Sequence, residues 1–140
     1  GDYYGAISDY NKAIEINPRF LEAYYNRGLA KAKLEDNSGA ISDYSKAIEI
    51  NPNNEDAYYA RGWEKNKTED YYGAISDYTK VIEINPNNAD AFASRNSPKF
   101  KIGDKKGSCF DSKKAAALGY KPSIDYLASS KGAWCRNLSD

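Results

Sequence analysis

"AISDYNKAIEINP" occupies residues 6–18, "AISDYSKAIEINP" residues 40–52 and "AISDYTKVIEINP" residues 74–86. One phrase thus returns at a constant interval of 34 residues in a chain of 140. A fixed period of about 20–50 residues marks a repeat architecture, in which each unit buries its apolar face against the next. In the 71–84 copy the apolar residues are Tyr71, Ala74, Ile75, Tyr78, Val81 and Ile82, the i, i+3, i+4, i+7 spacing of an amphipathic helix. Asn-Pro closes each copy, because the residue before proline avoids helical backbone and proline has no amide to continue the ladder. Between the copies lie residues 20–36 and 54–70, which read as the first helix of each pair. Gly28 and Gly62 fall inside them one period apart. Glycine in a helix interior costs about 1 kcal/mol relative to alanine, so its recurrence predicts a place where two helices approach too closely for a side chain.

Composition narrows the function classes. Lys plus Arg and Asp plus Glu both number 20, so the chain is formally neutral. It lacks the basic footprint expected for a nucleic-acid partner. Apolar runs are only a few residues long, and no direct membrane insertion is expected. The chain has no histidine, which removes the usual general base and the commonest metal ligand. Two cysteines cannot alone complete a four-ligand zinc site. The stretch from Asp36 to Glu49 has a calcium-loop flavour, but Ala40 stands where an oxygen ligand is needed. Asp9, Asp43, Asp77 and Asp111 share one register, and Arg27, Arg61 and Arg95 share another. Carboxylates that recur with the repeat point to structure, and Arg–Asp pairing is expected. No catalytic residue, cofactor or metal site is predicted, and the reading is not an enzyme. Two glycosylation-type triplets, 66–68 and 137–139, carry little weight.

The spacing resembles the tetratricopeptide repeat, a 34-residue helix–turn–helix with an aromatic residue, Gly, Ala, an aromatic, Ala and a final Pro. Here those are Tyr24, Gly28, Ala40, Tyr44, Ala47 and Pro52, then Tyr58, Gly62, Ala74, Tyr78, Val81 and Pro86. The wording is similar to a bacterial subtype of that family. The resemblance implies an all-α solenoid: residues 1–20 as the second helix of a truncated repeat, 21–54 and 55–88 as repeats, 89–121 as a degenerate repeat and 122–140 as a C-terminal capping helix. In the degenerate repeat Asn96 replaces the periodic Gly, Ser108 the Ala and Ser112 the aromatic. Pro98 falls mid-helix and predicts a bend or restart near Asn96–Pro98. In the cap, Ile124, Leu127, Ala128, Trp134, Cys135 and Leu138 trace one face, interrupted by Gly132. The chain opens half a period late and has no Met even at residue 1. The chain is therefore expected to begin either at a processing site or at the edge of a longer sequence, and any leader would lie upstream.

By the same resemblance, first helices line a concave face that holds a segment of another protein or peptide. The groove residues implied are Tyr25, Leu29 and Lys33, then Tyr59, Trp63, Asn66 and Lys67, then Phe100 and Lys101. Trp63 answers to Leu29 and Ser97, so the scaffold does not demand a tryptophan there; packing on Tyr59 one turn earlier is the competing role. The family's clamp for chaperone C-terminal carboxylates is missing, since Tyr25, Leu29, Ala60, Asp90 and Ser94 stand at its positions. The expected function is a non-enzymatic interaction module with a scaffold or assembly role; the alternative is the targeting segment of a larger enzyme or secretion machine. The half-covered first helix, with Tyr3, Ala6, Ile7 and Tyr10 on its apolar face, offers a surface for self-association.

Cys109 takes the register of Ile7, Ile41 and Ile75, on the side that meets the cap carrying Cys135. At about 1.5 Å per residue, antiparallel helices put the two at levels roughly 5 Å apart, near the Cα separation a disulfide requires. The alternatives are a bridge and two buried thiols. A bridge would imply a periplasm or lumen, and thiols a cytoplasmic protein.

Overall fold

The computed structural model describes residues 1–138. Among the described residues all regular structure is helical: α1 (Tyr3–Ile16), α2 (Leu21–Lys33), α3 (Asn37–Ile50), α4 (Glu55–Lys67), α5 (Tyr71–Ile84), α6 (Ala89–Lys101), α7 (Lys105–Ala117), α8 (Lys121–Ala128) and α9 (Ala133–Arg136). They fall into two compact units, Gly1–Glu69 and Asp70–Asp140.

In the first unit α1 packs on α2, α2 on α3 and α3 on α4. The Asp2 and Asp36 carboxylates accept the amides of Gly5 and Gly39 at 2.9 Å, and Asn54 accepts that of Ala57 at 2.8 Å. Each such cap contributes about 1 kcal/mol. Asn17 and Asn51 are extended, as Asn-Pro predicts. The core is small: Ala23, Ala30, Ala40, Tyr44, Ala47 and Ala57 are its buried apolar residues. A Cβ on Gly28 would lie 2.7 Å from the Tyr44 ring, which is the close approach its periodicity predicts. Asp43 is buried and held by Arg27 through two hydrogen bonds of 2.6 and 2.9 Å and by Lys31 at 2.8 Å. Removing one partner from such a buried pair costs about 3–5 kcal/mol. Arg27 also lies over the Tyr24 ring at 5.5 Å, which assigns the periodic arginine to the scaffold.

The second unit, α5 to α9, repeats the chemistry with different letters. Asp70, Asn88 and Asp104 cap α5, α6 and α7. Arg95 grips Asp111 at 2.7 and 2.9 Å, Lys99 adds a contact at 2.9 Å, and Arg95 lies over Phe92. Where the first unit pairs Gly28 with Tyr44, this one pairs Asn96 with Ser112 by a hydrogen bond, and Ser108 donates to Asn96 at 2.7 Å.

Two expectations are corrected here. α6 does not restart near Asn96–Pro98: it runs unbroken to Lys101 with Pro98 buried inside it. Proline removes a single amide, while Asn88 holds one end and the Ile102 amide bonds the Pro98 carbonyl at 3.1 Å near the other. Packing against both α5 and α7 carries the helix through. The cap, in contrast, is not one helix over 122–140. It stops at Ala128, turns through 129–132 and resumes as α9. The cause is local: Ser129 is extended, and a Cβ on Gly132 would lie 2.3 Å from the Tyr126 carbonyl oxygen, so the chain folds back on the end of α8. Arg136 then donates to the Leu127 and Ser129 carbonyls, satisfying groups that an unbroken helix would have used. Ile124 and Trp134 are consequently exposed rather than on a buried stripe. Residues 139–140 of the expected cap, and with them Ser139 of the 137–139 triplet, lie outside the described residues.

Candidate functional site

In the first unit, α2 and α4 form the walls of a cleft of about 360 Å³, and Tyr44 of α3 forms its floor. Tyr25, Leu29, Lys33, Tyr59, Trp63 and Lys67 all line it. Helical spacing explains why these side chains share a face: 25, 29 and 33 advance by one turn each, as do 59, 63 and 67. The Tyr25 and Tyr44 rings are 5.7 Å apart and tilted by 49°. Trp63 is 53% exposed, so its indole is not buried in the core and presents a large apolar surface to solvent. Burial and, less, the Asp56 charge push the Tyr25 hydroxyl up from its ordinary range. Burial first, then the Glu64 charge, does the same to Tyr44. Both phenols are therefore neutral hydrogen-bonding groups at physiological pH.

Asn66 does not line that cleft; its Oδ1 is buried without a hydrogen-bond partner. Phe100 and Lys101 belong to the second unit, where they line a separate cleft of about 340 Å³ with Asn96, Ser97, Ser108 and Tyr126. Leu29 and Lys33 also border a cleft on the α1 side, with Tyr3, Ala6 and Tyr10. Cys109 on α7 and Cys135 on α9 are joined as a disulfide, their Cα atoms 5.4 Å apart. Among the described residues no cluster of three or more His, Cys, Asp or Glu is placed to hold a metal, and no helix is long and apolar enough to cross a membrane.

Family profiles described as "Tetratricopeptide repeat" match residues 21–54 and 55–88, and one described as "TPR repeat" matches residues 1–35. Together they tile residues 1–88, well over half of the chain. The chain belongs to the tetratricopeptide-repeat family. A solved structure of MamA superposes with a TM-score of 0.86 at 19% identity, over 97% of this chain and 84% of that one. Another MamA structure gives 0.79 at 25% identity, over 100% and 70%. MamA 41-end from Desulfovibrio magneticus RS-1 gives 0.78 at 20% identity, over 84% and 67%. At these identities the likeness speaks for the all-α solenoid fold. No curated protein matches the chain.

Two features of this tetratricopeptide-repeat chain escaped the sequence reading. The first is the position inside the recurring phrase that changes in every copy, Asn11, Ser45 or Thr79. In each case its side-chain oxygen accepts a hydrogen bond from the arginine 16 residues on: Arg27 at 2.6 Å, Arg61 at 2.9 Å and Arg95 at 2.9 Å. The letters differ, yet the chemistry is constant. The second is Glu64, which lines the α2–α4 cleft and is 5% exposed. One period away its register holds Ala30 and Pro98, both buried. Aligning the three first helices exposes a carboxylate where the scaffold takes a small or apolar residue.

Proposed function

We propose that this chain is a non-enzymatic interaction module that holds a segment of another protein in the α2–α4 cleft, in a scaffold or assembly role. The observation that carries the reading is Trp63, half-exposed on the cleft wall at a register where Leu29 and Ser97 serve the other helices. Large aromatic residues that the scaffold does not require are the residue type most enriched at binding hot spots. Tyr59 one turn earlier and Tyr25 opposite extend the same surface. Selection of a displayed random peptide library on the purified chain tests it. Retained peptides that lose binding to the Trp63→Ala variant support the site; peptides that bind both forms equally place the activity elsewhere.

A further inference from the structure

The Glu64 side chain is 7% exposed, and its Oε2 is buried with no hydrogen-bond partner. Burying an ionised carboxylate without donors is costly, and native structures rarely leave one so. The repeat does not ask for it, since the same register is filled by Ala30 and Pro98. The nearby Lys67 does not resolve it: its ammonium stays 3.9 Å from Oε2 and donates instead to Asn37 at 3.1 Å. The cleft around this oxygen is aromatic, with Tyr25, Tyr59 and Trp63 on the walls and Tyr44 as the floor. Aromatic faces attract cations, and they also pack well against the methylene stem of a long basic side chain.

We propose that Glu64 and the surrounding rings form a specificity subsite that takes one Lys or Arg side chain of the bound segment, its cationic nitrogen donating to Glu64 Oε2. The inference rests on the cleft being a peptide site, as proposed above. Lys33 and Lys67 also border the cleft, but both are exposed, and their flexible stems let the ammonium groups turn into water. They disfavour a second basic residue beside the first.

The test is the composition of peptides selected from the displayed library, on the parent chain and on two variants. On the parent, Lys or Arg should be enriched about tenfold over Asp or Glu at one position, the discrimination expected of a single charge-assisted hydrogen bond. Glu64→Gln should abolish that preference while peptides are still retained, with helicity unchanged by circular dichroism. Glu49→Gln, which removes an exposed carboxylate outside the cleft, should leave the preference unchanged. Peptides retained without a basic preference, or with an acidic one, overturn the subsite and leave the peptide-binding reading standing. No retained peptides at all overturns both.

Discussion

A β-carbon added to Gly28 would meet Cε1 of Tyr44 at 2.7 Å, closer than carbon atoms in folded proteins approach. Both positions lie on the α2–α3 contact of the first unit, and Tyr44 is fully buried there. Two periods later the pair becomes Asn96 and Ser112, so a larger side chain on the first helix is matched by a smaller one on the second. The contact behaves as a shared volume rather than as two independent positions. Gly28→Ala should therefore destabilise by about 1–3 kcal/mol through overpacking. Gly28→Asn combined with Tyr44→Ser should cost less than the sum of the two single changes, measured by denaturant unfolding as a double-mutant cycle. Simple additivity would show that the two sites are not coupled.

Much of this was legible because a repeat prints its own controls. Each position is seen several times, so Gly28 with Gly62, the Arg and Asp rows and the Asn-Pro stops declare themselves as scaffold. Helix α1 was readable to the residue for the same reason, its sequence being almost that of α5. What stayed hidden depends on contacts that no period reveals. The break at 129–132 follows from one close approach, Gly132 to the Tyr126 carbonyl, in a segment that occurs once. Pro98 misled because interior proline is expected to split a helix, whereas packing on both sides outweighs one lost amide. Glu64 was readable in principle, but charge at a register held elsewhere by Ala and Pro signals a site only once burial is known.

Trp63 tests the cleft without threatening the fold. Its exposed indole supports little of the core, so Trp63→Ala should leave the melting temperature within about 2 °C of the parent, as for surface substitutions generally. Affinity for any peptide selected on the cleft should fall by about 2 kcal/mol, roughly thirtyfold, as expected for a hot-spot aromatic. A collapse in melting temperature would make Trp63 a packing residue and move the site elsewhere.

Burial pushes the Glu64 carboxyl up from its ordinary value of 4.5, and the Lys67 charge opposes this more weakly. A folded-state pKa above the unfolded one means that the native protein binds this proton more tightly. The associated stability is fully present below the unfolded pKa and is lost as pH rises through the folded one. Glu64→Gln, which stays neutral, should therefore melt above the parent at pH 7, by about 2–4 °C if the relief is near 1 kcal/mol. The difference should shrink in melts recorded below pH 4. A variant that melts lower at pH 7 would show instead that the ionised carboxylate is stabilised in the free protein.

The turn between α2 and α3 places Glu35 at φ 62°, a left-handed conformation that costs a non-glycine residue about 1 kcal/mol or more. Glu69 sits at φ 65° one period on, and the next period supplies glycine, Gly103 at φ 86°. Glu35 is exposed. Glu35→Gly should stabilise by about 0.5–1 kcal/mol, the relief of strain slightly exceeding the added flexibility of the unfolded chain. Urea unfolding with an unchanged m-value is the measurement. Destabilisation would mean that this side chain does more than occupy the turn.

The bridge between Cys109 and Cys135 has the most consequence for how the second unit holds together. Helix α9 has four residues, far too few to persist alone. It is fixed by the Arg136 contacts to α8, by Trp134 donating to the Tyr126 hydroxyl at 3.1 Å, and by Cys135, which is fully buried against α7. A disulfide across 26 residues contributes about 3–4 kcal/mol in the loop-entropy model, more than those surface hydrogen bonds together. Reduction, or Cys135→Ser, should thus lower stability by about 3 kcal/mol and free the segment after Ala128, seen as loss of hydrogen-exchange protection there with α5 to α7 still folded. A bridge of this kind forms in an oxidising compartment, which we propose for this chain. Thiol titration of unreduced, denatured protein decides the matter. No reactive thiol is expected; two per chain would end both the bridge and the compartment that follows from it.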